Sequence, residues 1–534
     1  MEQTPNTSRP AASSLDISEA ELRELSSAVT KLVTDYFAEV SRLPVFPETT
    51  AGKTSAKIGA VLPLHGQPLA QLLDDCRVVI ENSRHNGHPR FFGYVASPAT
   101  APGAFADLLA SSLNANVTSW RSGPAATEIE RTVVSWLGSM IGYGVSAHGL
   151  LTSGGSMANL TALLVAHRTK ADANVSSTGL WNIAPMTLYA SDQIHMSIPK
   201  AADMLGLGRA QVRLVPSDDR FRLNPDALRR AIAADLANGL KPFCVFASAG
   251  TVNTGAVDPL AEIAAVAKEF GLWFHIDGAY GALAALDQTK RPLFRGLDQA
   301  DSVSLDPHKW LYVPLDSGCL LFRDEARARA AFNFDSADYI KVHEQNADEA
   351  FAFWNYGPEL SRRFRALKIW LTLRYYGVQR IAAAISEDCT LAAYLGEQVA
   401  AAADFEMLGP PELSICCFRY VPPAWRSKLQ MAAGDEPAVG TELDAKLDEL
   451  NARIMNVVQR GGRAYLSSAT IRGKFALRAC ITNFRTTRAD IDETLGIIRD
   501  AAKGIPAMQA ELQNREGSER MQSSTKLISF TTDV

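Results

Sequence analysis

The sequence predicts an α/β protein: a mostly parallel sheet covered by helices on both faces, a smaller α+β domain after it and a helical arm before it. From about residue 100 to 375, short apolar runs alternate with helical segments, and near-continuous apolar strands mark a sheet buried on both faces. Several of these runs end in polar or glycine-bearing turns, the place where open α/β sheets bind ligands. At 534 residues, with 47% hydrophobic and 21% charged content, the chain has material for two or three domains and an ample core.

The elements follow in order. Residues 1 to about 17 are polar, and Ile17 to Val40 places Leu22, Leu25, Val29, Leu32, Val33, Tyr36, Phe37 and Val40 at helical spacing. Pro44 to Pro68 carries Pro, Gly and Thr without periodicity and is expected to be an extended arm. Together, residues 1–100 are expected to form a helical and extended arm that packs on a partner subunit. Residues 101–377 form the expected large domain, with strands at Leu150–Thr152, Met186–Ala190, Gln211–Val215, Phe243–Ala247, Leu272–Asp277 and Cys319–Phe322. Residues 378–503 are expected to make the small α+β domain, with strands at Ile415–Tyr420 and Phe475–Ile481, and 504–534 a polar, disordered tail.

Composition excludes several classes. A net charge of −5 and the lack of a long basic block argue against nucleic-acid binding. The N-terminus has no signal-like apolar core, and no apolar run approaches the ~20 residues that span a bilayer, so a cytoplasmic protein is expected. Seven cysteines form no spaced metal or redox motif and read as small buried hydrophobes; no metal site is expected.

The chemistry concentrates in a few motifs. In Ser304-Leu305-Asp306-Pro307-His308-Lys309-Trp310 one lysine stands between an imidazole and an indole. A lysine held away from bulk water is a good amine nucleophile, and Lys309 is the candidate covalent anchor of pyridoxal phosphate. That cofactor also needs an acid under its pyridine nitrogen, and Asp277, at the end of a buried apolar run, is the candidate. Thr152-Ser153-Gly154-Gly155-Ser156 follows a strand and opens a helix whose apolar face is read as Met157, Leu160, Leu163 and Leu164. Its glycines and helix start suit a phosphate, and it lacks the lysine of a nucleotide-triphosphate loop. His195, just after a strand, is placed to stack on the pyridine ring. Thr251, in a turn after another strand, is expected to bring a hydroxyl near the ring or Asp277.

This order of motifs, with Gly250–Pro259, His275–Gly281 and Asp306–Trp310, resembles the group II pyridoxal-phosphate-dependent amino acid decarboxylases from about Pro44 to Ala502. His88–Tyr94, Ser122–Glu128 and Arg362–Arg365 look like further segments of that family. The resemblance implies an aspartate-aminotransferase-like fold (fold type I) with a seven-stranded sheet, and a homodimer with its active sites at the interface. It also implies the cofactor link at Lys309, the pyridinium partner at Asp277, stacking at His195 and packing at Ala279. Phosphate and cofactor contacts are implied at Gly154, Gly155, Ser156, Asp306 and His308. Tyr339, on a segment resembling the family's mobile loop, is the candidate acid that protonates Cα; related enzymes with phenylalanine there are oxidative aldehyde synthases. The expected substrate pocket includes Tyr94, Phe92, His195, Arg478 and Ser361, with Phe91, Trp120 and Trp354 in associated segments.

The expected activity is decarboxylation of an L-amino acid, preferably aromatic, to CO2 and a primary amine. Arg478 sits where the family's glutamate branch has a carboxylate-binding arginine, so an acidic substrate is the runner-up. An aldehyde synthase, another pyridoxal-phosphate enzyme and a catalytically silent homologue are the remaining alternatives. The last of these should have lost Lys309, Asp277 or His195.

Overall fold

The computed structural model describes residues 15–505 apart from 60, 146, 172–173, 182, 333–345, 347 and 433–436, and leaves the side chains of 428, 430–432 and 437–441 undescribed. Twelve strands are present among the described residues: β1 (Phe91–Phe92), β2 (His148–Thr152), β3 (Met186–Ser191), β4 (Val212–Val215), β5 (Lys241–Ser248), β6 (Trp273–Asp277), β7 (Ser302–Leu305), β8 (Gly318–Phe322), β9 (Phe405–Gly409), β10 (Ile415–Tyr420), β11 (Tyr465–Ile471) and β12 (Lys474–Cys480). Seven make one sheet in the order β2-β8-β7-β6-β5-β3-β4, in which only β8 runs against its neighbours. The seven-stranded, mostly parallel sheet expected from sequence is therefore present.

Strands β3, β7 and β8 are buried at every position, as a sheet covered on both faces requires. Each fully buried Leu or Phe contributes on the order of 1.5–3 kcal/mol of transfer free energy. Helix Gly155–Lys170 departs from the face read in the sequence. Ala158, Ala162, Val165 and Ala166 are buried with Leu163, whereas Met157, Leu160 and Leu164 are only half-buried. The helix is sandwiched between the sheet and helix Ser197–Met204, so its small residues permit close approach and its larger ones fill the rim.

The C-terminal sheet has the order β1-β11-β12-β10-β9 and packs on helix Pro437–Arg460, with helix Arg488–Lys503 against that helix in the same hydrophobic core. Strand β1 comes from the N-terminal segment and pairs parallel with β11, so residues around 91 belong to this layer rather than to an arm. Arg90 ties them down through Arg463 O at 2.8 Å and Glu493 at 2.9 Å. The segment expected to be wholly extended holds a short helix, Ala51–Ile58, because the Thr50 side chain accepts from Lys53 N and caps its start. Helix Glu19–Glu39 begins at a Ser18/Glu21 capping box. Helices Glu19–Glu39, Ala51–Ile58 and Leu69–Glu81 have no buried residue in this chain. Helix Ala366–Ala401 links the two layers and breaks at Gly377, where φ is 73°. Among the described residues no helix is long and apolar enough to cross a membrane, and no His, Cys, Asp and Glu cluster could hold a metal.

Candidate active site

The C-terminal ends of β5, β6 and β7 bring Ser248, Asp277 and Ser304 side by side in register. They open on a cavity of about 760 Å³ lined by residues from both layers. Five candidate residues of the large domain line it: His195, Asp277, Asp306, His308 and Lys309.

One end of the cavity suits a phosphate. Strand β2 runs into Ser153, Gly154, Gly155 and Ser156, all of which line the cavity, and no side chain caps the helix that starts there. The positive end of that helix faces an anion site. A Cβ on Gly155 would stand 2.9 Å from Ala279 Cβ and 3.0 Å from Asp306 Oδ2, so glycine keeps this cradle open. A Cβ on Gly318 would come within 2.5 Å of Gly154 Cα, which explains why β8 carries glycine opposite the loop.

Asp277 is 8% exposed, and three donors face its carboxylate: Asn159 Nδ2 at 2.9 Å, Ala279 N at 3.1 Å and Ser304 Oγ at 3.3 Å. Behind this site, buried His275 lies 3.1 Å from Asn159 Oδ1, and burial depresses its pKa to about 4. His195 holds Nδ1 2.8 Å from Ser197 Oγ and also accepts from Ser197 N at 3.2 Å. Burial lowers its pKa, while the nearby Asp277 charge works the other way.

Lys309 sits in the short helix Pro307–Trp310, with Nζ 3.0 Å from Asp306 Oδ2. The other oxygen of Asp306 is buried without a hydrogen-bond partner. His308 accepts from Ser317 N at 3.1 Å through Nδ1, and burial lowers its pKa too. The lysine turn is braced from behind: Trp310 Nε1 and Tyr312 OH donate to Asp388 Oδ2 at 2.8 and 2.7 Å, and Tyr280 stacks on the Trp310 indole at 5.1 Å. A cradle for phosphate, an amine and a buried carboxylate around one cavity fit pyridoxal phosphate.

On the side of the C-terminal layer, Tyr94 and Arg478 line the cavity with Met455, Gln459, Ser467 and Ser468. Arg478 is largely engaged: Nε and Nη2 donate to Val252 O at 3.1 and 2.8 Å, and Nη1 donates to Tyr94 O at 2.8 Å and Ser467 Oγ at 3.2 Å. These bonds hold Tyr94 in a left-handed backbone conformation with φ 59°. The Tyr94 hydroxyl meets that of Tyr465 at 3.2 Å.

Two expectations are corrected. Thr251 turns away from the cavity; its hydroxyl bonds Thr254 Oγ1 at 2.9 Å and accepts from Ala256 N at 3.1 Å, inside its own turn. Phe92 is 2% exposed in the hydrophobic core of the C-terminal layer, because β1 points it there. Ser361 is exposed and does not line this chain's cavity, and neither do Phe91, Trp120 and Trp354. Tyr339 lies outside the described residues. Sequence reasoning missed Asn159, Ser197 and Ser304; an asparagine amid the alanines of a buried helix was the available signal.

Comparison with known proteins bears on this geometry. Residues 52–421 match the pyridoxal-dependent decarboxylase conserved domain. The chain is 35% identical to an aromatic-L-amino-acid decarboxylase of Bacillus atrophaeus, over 92% of this chain and 97% of the relative. It is 29% identical to a phenylacetaldehyde synthase of a Rosa hybrid cultivar, over 91% of this chain and 94% of the relative. Among solved structures, mouse CSAD superposes with a TM-score of 0.85 at 28% identity, covering 92% of this chain and 100% of that one. Oryza sativa TDC with PLP and tryptamine superposes with a TM-score of 0.82 at 28% identity, covering 92% and 99%.

Proposed function

The chain belongs to the pyridoxal-dependent decarboxylase family and is a pyridoxal-phosphate-dependent carboxy-lyase, and from that premise we propose that it converts an aromatic L-amino acid to CO2 and the primary amine. The observation that carries the aromatic preference is the state of Arg478. Four of the five N–H groups of its guanidinium are engaged by Val252, Tyr94 and Ser467, which leaves little of the fork for a second substrate carboxylate. Tyr94 adds an aromatic wall against which a flat ring packs well. The similarity to the Bacillus atrophaeus aromatic-L-amino-acid decarboxylase supports the same reading.

Bound pyridoxal phosphate supplies an electron sink for the pair left on Cα when the carboxylate bond breaks. The chain's own residues do the rest. Lys309 is the covalent anchor, with Asp306 holding its amine in place beforehand. Asp277 would pair with the ring nitrogen, and His195 would cover the ring and help orient the substrate carboxylate. Gly154, Gly155, Ser156 and His308, which line the cavity, would hold the phosphate, and Ala279 would pack on the ring. Tyr339, by its resemblance to the family's loop tyrosine, would donate the proton to Cα.

The enzyme acts as a homodimer. The N-terminal helices, which bury nothing in this chain, and exposed Phe105, Leu108, Leu109 and Leu113 on helix Ala101–Leu113 supply the apolar face that a second copy covers. Seven free cysteines, six of them buried, suit a reducing cytoplasm.

The test is CO2 release by the pyridoxal-phosphate-loaded protein against a panel of L-amino acids, with products identified by mass spectrometry. Amine from tyrosine, DOPA, tryptophan or phenylalanine is expected. Release only from glutamate, aspartate or cysteine sulfinate would move the assignment to acidic substrates. Aldehyde in place of amine would make the protein an oxidative synthase, an outcome kept in view by its likeness to the Rosa enzyme. Tyr339→Phe is expected to abolish amine formation and yield aldehyde; unchanged amine output would assign the proton to another group.

A further inference from the structure

Asn159 lies in helix Gly155–Lys170, 1% exposed, with every polar atom of its amide engaged. Nδ2 faces Asp277 Oδ2 at 2.9 Å and Ser197 Oγ at 3.1 Å, while Oδ1 faces His275 Nε2 at 3.1 Å. Farther back, His275 Nδ1 lies 2.8 Å from Ser302 Oγ, which accepts from the Trp273 indole N–H at 2.9 Å.

Donor and acceptor chemistry gives this network one direction. A carboxylate only accepts, so the Asn159 amide turns Nδ2 to Asp277 and leaves Oδ1 to accept from His275 Nε2, while Ser302, which accepts from Trp273, has its own hydrogen for His275 Nδ1. His275 is therefore neutral with its hydrogen on Nε2, the form that its burial favours, and donates to Asn159 Oδ1. That fixes the amide so that both Nδ2 hydrogens point forward, one to the Asp277 carboxylate and one to Ser197 Oγ. The Ser197 N–H donates to His195 Nδ1 at 3.2 Å, so that nitrogen is an acceptor and the Ser197 hydroxyl at 2.8 Å donates to it as well. His195 is left neutral, with its one ring hydrogen on Nε2, outside the ring edge engaged by Ser197. A flipped Asn159 amide would set two acceptors against each other at Asp277 and break both branches.

The structure assigns Asn159 as a positioning residue that serves both sides of the cofactor site: one amide hydrogen orients the Asp277 carboxylate for the ring nitrogen, and the other holds Ser197, whose N–H and hydroxyl set the tautomer of His195. The assignment rests on the pyridoxal-phosphate reading of the cavity. It adds a role for Asn159, Ser197 and Ser302, which lie outside the motifs, and for His275, which opens one.

The two branches are separable by experiment. Histidine-selective 15N labelling reports the tautomers of the chain's nine histidines, assigned by single substitutions, in protein with and without pyridoxal phosphate. Fluorescence titration gives the affinity for pyridoxal phosphate. In the unsubstituted protein His195 and His275 are expected as neutral Nε2–H forms. Asn159→Asp puts a second carboxylate against Asp277; it is expected to weaken pyridoxal-phosphate affinity by about tenfold or more, the scale of one hydrogen bond to a charged group, and to disturb both histidine signals. Ser197→Ala is expected to change the His195 pattern and leave cofactor affinity within about twofold. His275→Phe should weaken the affinity with His195 unchanged, and His275→Gln, whose amide can donate to Asn159 Oδ1, should recover most of it.

Unaltered affinity and histidine signals in Asn159→Asp overturn the assignment. If that variant does not fold, the other three decide: a His195 signal indifferent to Ser197→Ala, or no recovery from Phe to Gln at 275, overturns it as well. Failure of the unsubstituted protein to take up pyridoxal phosphate would instead strike at the functional reading, and the tautomers in cofactor-free protein would still test the network.

Discussion

At the scale of single residues, Lys309 and Asp277 were legible because each sits in a local pattern that has few other uses: a lysine flanked by His308 and Trp310, and a carboxylate ending an apolar strand. Asn159 and Asp388 were not, since their partners arrive from distant parts of the chain, Asp277 and Ser197 for one and Trp310 and Tyr312 for the other. Thr251 was misread for the same reason, because a hydroxyl beside the site and one folded into its own turn look alike in sequence. Lys309→Ala is expected to abolish the visible absorbance of lysine-bound cofactor and reduce turnover by at least about a thousandfold; normal spectra would overturn the anchor. Asp388 is fully buried, and desolvation raises its pKa to about 7 despite the bonds from Tyr312 and Trp310. A raised folded pKa stabilises the fold below the unfolded value of about 3.9, and that contribution is lost as pH rises through about 7. Asp388→Asn removes this term. The variant's melting temperature relative to the unsubstituted protein should therefore rise between pH 5 and pH 8.5, and a pH-independent difference would show that the carboxyl does not titrate there.

At the scale of elements, strands rich in Val, Leu, Ile and Phe were read correctly, whereas β7 and β11 were not. Their serines break the apolar pattern, yet Ser302, Ser304 and Ser467 are buried with partners, so polarity in sequence was no guide to exposure. Strand β1 was missed because two residues give no periodicity at all. The phosphate loop was legible through its glycines, although only the packed structure shows which contact each one permits. Gly155→Ala is expected to push on Ala279 and Asp306 and lower pyridoxal-phosphate affinity by about tenfold or more with the melting temperature nearly kept. Titration of cofactor fluorescence checks this, and unchanged affinity would mean that the phosphate sits elsewhere.

At the scale of the whole molecule, apolar spacing along Glu19–Glu39 predicted a helix correctly but could not say what its apolar side meets. Leu22, Leu25 and Val29 are exposed in this chain, and in the proposed homodimer a second copy covers them. Sedimentation should give twice the chain mass of 57.8 kDa, and Leu108→Asp with Leu109→Asp should shift the population to single chains with loss of turnover. A monomeric, fully active protein would refute the shared interface.

The pairing of β1 with β11 reaches into the time course of synthesis. Arg90 and Arg463, whose side-chain-to-carbonyl bond anchors that pairing, are 373 residues apart. Contacts of such high sequence separation form late and slowly. All seven strands of the larger sheet have left the ribosome before β11 exists, so the lysine, the acid and the phosphate loop can assemble while the edge that holds Tyr94 is still waiting for its partner. The wall of the substrate pocket is thus the last part of the site to be built, and a nascent chain arrested before residue 465 would be expected to hold a sheet without a closed cavity.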